Sequence, residues 1–355
     1  YTKLKTNLTD VPELGASVLS LWTLLVSIAF GAEYLTREQL QNVLRLHPHP
    51  CLTKQIFGFM YDVSADNNDL IFKRRAAMYG ESNLFFRDSF RSRVEATGVI
   101  ELEEISFNNA DDVAANINKD IKSATGGIID KVVMPCDLNR AEVVLIDVLC
   151  FKGTWKFKFM TQYTLPSAFY GPRGERVGDV YLMYAKLRTK IANVPDIEAR
   201  VLELPYENNR FSMLFFLPNK GATIQNVFES LQNFNLHSIL AKFAYRIVTI
   251  RIPRLQVISD NSLKNILADM GLTSMFGDNA TFSHMAEVNF HVSNVIQKVV
   301  IEVTEDGVEP IETRKTENFE IEETFIANRP FIYMIVEKQA EIVIFTGAYS
   351  KPTIY

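Results

Sequence analysis

Val295–Phe331 reads VIQKVVIEVTEDGVEPIETRKTENFEIEETFIANRPF, and three textures follow one another in it. Its front, VIQKVVIEVTEDG, alternates apolar with polar residues, so that Val299, Ile301 and Val303 share one side of an extended chain, a strand pattern. Val308–Thr324 is polar and charged. FIANRPF then opens a second, more apolar strand. A strand, a long exposed segment and a strand make a loop of a length that compact domains seldom carry unless it is functional or disordered. This segment is the first candidate for the place where the protein meets a partner.

The chain has 355 residues, 47 % of them hydrophobic and 25 of them Phe, ample for a large core and unlike a disordered chain. A net charge of −5 offers no global basic field to nucleic acid. Three cysteines, Cys51, Cys136 and Cys150, exclude a disulfide-stapled scaffold and allow one bridge at most. Asn7-Leu8-Thr9 and Asn279-Ala280-Thr281 are glycosylation sequons. Tyr1 is not an initiator, as expected of a chain that has lost a signal peptide; the expected location is extracellular.

Leu14–Ala32, LGASVLSLWTLLVSIAFGA, runs 19 residues without a charge. That length would allow a membrane span. Three Ser, one Thr and two Gly dilute it and no basic flank follows, so a buried strand and core helix is the better reading. His47, His49 and Cys51 in HPHPC alternate as metal ligands can. No further His/Cys pair lies nearby, and the prolines enforce an extended inter-helix loop, so no metal is expected. Leu70–Tyr79 reads as a strand and Arg87–Thr97 as a helix with Phe90 and Val94 on one face. Lys73, Arg74, Arg75, Arg87, Arg91 and Arg93 make this region basic; the plain alternative is a solvated surface diluted by Glu81, Asp88 and Glu95.

Asp111–Val133 reads as an amphipathic helix followed by a Gly-Gly turn. Val143–Trp155, VVLIDVLCFKGTW, is a buried strand that contains Asp147, a carboxylate that needs donors or a raised pKa there. Val201–Pro218 is a hairpin. After IRIPRL at 250–255 a helix is expected: Asp260 or Asn261 caps it, Leu263, Ile266, Leu267 and Met270 form its stripe, and Gly271 ends it. Pro330–Gly347 reads as two core strands about EKQAE. None of the five histidines sits in a nucleophile setting. G-x-S-x-G, H-E-x-x-H and the phosphate-binding G-x-x-x-x-G-K-[ST] are all missing, and GPRGERVG at 171–178 lacks the phosphate-binding lysine. Neither an enzyme nor a cofactor is expected.

Several of these stretches together resemble the serpin (serine protease inhibitor) family. VIQKVVIEVTEDGVE resembles the serpin hinge, FIANRPFIYMI the strand after the reactive loop, and VLSLWTLLVSIAFGAEYLTREQL the strand and helix at the shutter. Phe151-Lys152-Gly153-Thr154-Trp155 completes a family signature. The resemblance implies an α+β fold of three β-sheets with about eight or nine helices, one domain over 1–355, and an exposed reactive-centre loop at about 305–328. It implies a shutter at Ser20, Thr23, Asp147 and Gln297, where Ser-Leu-Trp-Thr replaces the usual Ser-Pro-x-Ser and Asp147 the usual asparagine. It implies a breach at Trp155, Arg254 and Glu305. Asp120 stands where the helix over the main sheet usually has tryptophan. Some serpins bind sulfated polysaccharide through basic helices, which makes Lys73–Arg93 a candidate for that partner.

An inhibitory serpin is cleaved in its loop, which then inserts as a new central strand of the main sheet. The family uses small uncharged residues after the hinge glycine. Here Gly307 precedes Val308, Glu309, Pro310, Ile311, Glu312, Thr313, Arg314 and Lys315. Alternation puts Val308, Pro310, Glu312 and Arg314 on one face and Glu309, Ile311, Thr313 and Lys315 on the other, so no register hides the charge. Burying an unpaired charge costs several kcal/mol, and Pro310 lacks the N–H that a central strand donates. The expected function is therefore a non-inhibitory serpin with a binding or regulatory role and an unknown protein partner. The alternatives are an inhibitor of a chymotrypsin- or elastase-like serine protease, cleaved within Phe319, Glu320 and Ile321, and a polyanion-binding or carrier protein.

Overall fold

The structure is a computed structural model that describes residues 13–65, 70–307 and 322–352. In chain order, β1 (Glu13–Ala16) leads to α1 (Val18–Ala29), α2 (Tyr34–Val43), α3 (Pro50–Ser64), β2 (Leu70–Glu81), α4 (Asp88–Glu95), β3 (Glu101–Ile105), α5 (Ala110–Ala124) and α6 (Pro135–Leu138). Next come β4 (Val143–Gly153), β5 (Leu165–Tyr170), β6 (Arg176–Val194), β7 (Ala199–Pro205), β8 (Phe211–Pro218), α7 (Ile224–Leu231), α8 (Leu236–Leu240) and β9 (Ala244–Pro253). The chain closes with β10 (Leu255–Ser262), α9 (Lys264–Asp269), β11 (Val292–Val303), β12 (Glu322–Ile326), β13 (Phe331–Glu337) and β14 (Ile342–Tyr349).

One sheet has five strands in the order β10-β11-β4-β2-β3. The other nine strands form a network, β1-β14-β13-β8-β7-β6-β9-β12, with β5 on β6. The network divides where β6 changes partner, from β9 over Leu182–Ile191 to β7 over Lys190–Val194. Together with the five-stranded sheet this gives the expected three-sheet α+β architecture.

The middle of the five-stranded sheet positions the site. β4 and β11 are parallel neighbours, paired from Val292↔Val143 to Glu302↔Lys152 with one register shift between Val292 and Asn294. Both are largely buried on two faces; β4 is almost continuously apolar, as that requires, while β11 buries Gln297 among its apolar residues. One face takes Ala114, Ile117 and Ile121 of α5 onto Ile146, Val148, Ile296 and Val300. The opposite face turns Leu149, Phe151, Val299 and Ile301 toward Phe215, Tyr333 and Phe345 of the nine-stranded network. Among the described residues, no strand lies between β4 and β11.

The charge-free stretch 14–32 becomes β1 and the 12-residue α1, capped by the Ser17 side chain, which accepts from Ser20 N. No helix among the described residues is long and apolar enough to cross a membrane. HPHPC is a loop only up to His49, because Pro50 takes the first position of α3, where its missing N–H costs nothing. Asp260 and Asn261 correct the helix expected after IRIPRL. They lie inside β10, opposite Lys298 and Gln297. The helix starts only at Lys264 and carries no side-chain cap; Met270, expected on the apolar stripe, is 40 % exposed. Gly271 does end it, at φ +111°, a conformation that L side chains avoid. All three cysteines are free thiols, Cys150 buried and Cys51 and Cys136 exposed.

Candidate functional site

The four residues assigned to the shutter lie in one buried hydrogen-bonded cluster. Asp147, from the middle of β4, is fully enclosed. Its Oδ1 accepts from Ser20 Oγ at 2.5 Å, and its Oδ2 accepts from Gln297 Nε2 at 2.7 Å. Gln297 belongs to β11, so that second bond ties the two central strands together. Gln297 uses its remaining groups on Ser17: Nε2 also donates to Ser17 O at 2.9 Å, and Oε1 accepts from Ser17 N at 3.1 Å.

The cluster holds a fifth member that sequence reasoning assigned elsewhere. Arg74 of β2 lies with Nε 3.6 Å from Asp147 Oδ1, its side chain only 3 % exposed. Its three donor groups reach Ser20 Oγ at 2.5 Å, Thr23 Oγ1 at 3.0 Å and Val99 O at 2.5 Å. Ser20 is thus a relay that accepts from the cation and donates to the anion. Burial pushes the Asp147 carboxyl above its ordinary range, against the pull of Arg74, Ser20 and Gln297. Burial likewise lowers Arg74, and Asp147 opposes that. The signal that could have found Arg74 was the strand period: Lys73 and Arg75 share one face of β2, and Arg74 points to the other.

That placement corrects the basic group proposed for a sulfated polysaccharide. Arg74 is buried and neutralised. Arg75 is paired with Glu101 and Glu103, Arg91 with Glu104 and Arg87 with Glu287, while Arg93 lies 4.2 Å above the Phe30 ring. Lys73, on the face of β2 opposite Arg74, also makes an interaction. Arg74 is thus withdrawn from the group, and Arg75, Arg87, Arg91 and Arg93 are each engaged by a carboxylate or a ring.

At the top of the sheet, Trp155 stacks flat on Tyr206, with centroids 4.6 Å apart and planes 8° apart. Its Nε1 donates to Thr304 O at 2.8 Å and its backbone N to Asp306 O at 2.9 Å. Glu305, 6 % exposed, accepts from Thr164 Oγ1 at 2.8 Å and faces Arg254 NH1 at 3.8 Å. Lys152 links Glu302 and Asp306 at 2.7 and 3.3 Å. Gly307 bridges to Trp155, and the approach explains the glycine. A Cβ there would meet Lys158 Cα at 2.7 Å and both Lys158 N and Trp155 O at 2.9 Å.

Val308, Glu309, Pro310, Glu312 and Arg314, and the scissile candidates Phe319, Glu320 and Ile321, lie outside the described residues, as does Asn7. The chain resumes in β12, parallel to β9 and tied down by charge: Glu322 to Lys186 at 2.8 Å, Glu323 to Arg200 at 2.7 Å. Asn279 is exposed. Among the described residues no group of three or more His, Cys, Asp or Glu could hold a metal ion.

The profile of the Serpin (serine protease inhibitor) family matches residues 12–352, and the chain belongs to that family. Curated relatives include Serpin B8 of Bos taurus, 26 % identical over 346 residues, and the leukocyte elastase inhibitor of Sus scrofa, 28 % identical over 356. Each alignment covers 95 % of this chain and 92 % of the relative. Among solved structures, uncleaved ovalbumin superposes with a TM-score of 0.86 at 23 % identity, covering 96 % of this chain and 93 % of its own. Native protease nexin-1 with heparin gives 0.84 at 24 %, with coverages of 96 % and 93 %.

Proposed function

We propose that this serpin does not trap proteases by loop insertion and serves as a binding or regulatory protein that uses the segment after Gly307 for recognition. The observation that carries this is the sequence after Gly307: Glu309, Pro310, Glu312 and Arg314 stand where a strand entering the sheet would need small uncharged residues. Those charges fall on both faces of an extended segment, and Pro310 cannot donate to a neighbouring strand.

The sheet supports the same reading from the receiving side. A strand entering between β4 and β11 must separate Asp147 from Gln297. Asp147 then loses a donor while still buried beside Arg74. A neutral asparagine would lose an ordinary hydrogen bond there, whereas a buried carboxylate loses a charge-assisted one, about twice as strong. Entry into this sheet is opposed at the hinge and again at its middle.

The test is incubation with chymotrypsin-like and elastase-like serine proteases, followed by a denaturing gel. Loop cleavage without a covalent complex is the expected result; a complex at near-stoichiometric ratio would establish an inhibitor instead. That alternative draws on relatives named as elastase inhibitors and on Phe319 or Ile321 as bait.

A further inference from the structure

Away from the loop and the sheet opening, an open cleft of about 720 Å³ lies where α1 and α4 end, beside α2 and the first turns of α3. Its floor is aromatic: the Phe30 and Phe57 rings lie 5.9 Å apart. Its rim is cationic: Arg37, Lys54 and Arg93 line it, with His47, and no carboxylate is among the lining residues. Arg93 is held 4.2 Å above the Phe30 ring, which orients its guanidinium over the apolar floor. Arg37 and Lys54 make no ion pair or side-chain hydrogen bond among the described residues. His47 Nδ1 accepts from His49 N at 3.0 Å, which leaves Nε2 to donate.

The contrast with the rest of the molecule gives this meaning. The chain carries a net charge of −5, and Arg75, Arg91, Lys152, Arg200 and Arg210 each have a carboxylate partner, which Arg37 and Lys54 do not among the described residues. Three cations converging on a pocket without one repel each other, and an anion relieves that repulsion. A pocket of this size with an apolar base and a few convergent charges has the character of a small-molecule site.

We propose that this cleft binds a small amphiphilic anion: a single carboxylate or sulfonate head between Arg37, Lys54 and Arg93, with an apolar body on Phe30 and Phe57. The arrangement supplies two kinds of recognition. The guanidinium groups take an anionic head by bidentate hydrogen bonds. The rings take a flat or aliphatic body by burial, which an inorganic ion cannot use.

The test uses the full chain and calorimetric titration with three probes: dodecanoate, 1-naphthalenesulfonate and inorganic sulfate. Saturable 1:1 binding of the first two, and none of sulfate at equal concentration, is expected. Arg37→Glu/Lys54→Glu, both at exposed positions, should weaken that binding at least tenfold while leaving the melting temperature unchanged. Arg93→Ala should weaken it independently. Binding that persists unchanged in the double variant, or no binding of either organic anion, would overturn the proposal. So would a sulfated hexasaccharide binding here while the monoanions do not, since the cleft would then be part of a polysaccharide track. None of these outcomes depends on whether the loop inserts.

Discussion

Asp147 and Arg74 are each explained by the other. Either alone would be an isolated charge in the interior; as a pair bridged by Ser20 they are neutral and nearly saturated with hydrogen bonds. Arg74→Met should cost about 3–5 kcal/mol, because it strands a buried carboxylate. Asp147→Asn should cost a similar amount by stranding the guanidinium, and combining the two should recover much of the loss. A urea-denaturation double-mutant cycle measures this; strictly additive losses would mean the residues are not coupled. The pH dependence has a definite sign. The folded Asp147 carboxyl holds its proton to a higher pH than the unfolded one, so its contribution is full below the ordinary 3.8 and is lost as pH rises through the folded value. Arg74→Met removes the main opposing charge and deepens that loss. The variant should therefore lie nearer the parent in stability at about pH 4.5 than at about pH 7.5; an equal gap at both would contradict the pairing. Asp147 was legible from sequence as a carboxylate in need of partners. Arg74 was not, because a run of Lys-Arg-Arg reads as surface until the strand's alternation decides which residue turns inward.

At the scale of elements, β11 was legible from its alternation of apolar and polar residues, and β4, the 201–218 hairpin and the two closing strands because runs apolar on both faces can be stable only inside. β10 was not. LQVISDNS is polar at five of its eight positions, and it becomes a strand because β11 pairs along its whole length. The hinge is the next element up from Gly307, whose own place is fixed by contact: Gly307→Ala should cost about 1–3 kcal/mol through the clash with the Lys158 backbone. Limited proteolysis around 154–160 would report the displaced segment; unchanged protection would show that the contact yields freely. The hinge composition is tested by replacing it. Glu309, Pro310, Glu312 and Arg314 all changed to Ala should let a loop-cleaved chain enter the sheet and should raise covalent complex formation with serine proteases. If the substituted protein behaves like the parent, the obstacle lies in the shutter rather than in the hinge.

Over the whole molecule, the fold was readable from scattered signatures whose combination is specific, and the family profile spans the same length. Fold alone does not decide between trapping and binding, since both need the same three sheets and loop. The surface adds a constraint of its own. With a net charge of −5 and the 73–93 cations dispersed or neutralised, the protein should leave a heparin column below physiological ionic strength. Retention well above it would restore the polysaccharide reading. The central claim, that this chain does not accept its own loop into the middle of the five-stranded sheet, is tested most directly by calorimetry of the native protein before and after a single loop cleavage. A melting temperature little changed by cleavage is the predicted result. A large upward shift, the mark of a sixth strand seated between β4 and β11, would contradict it.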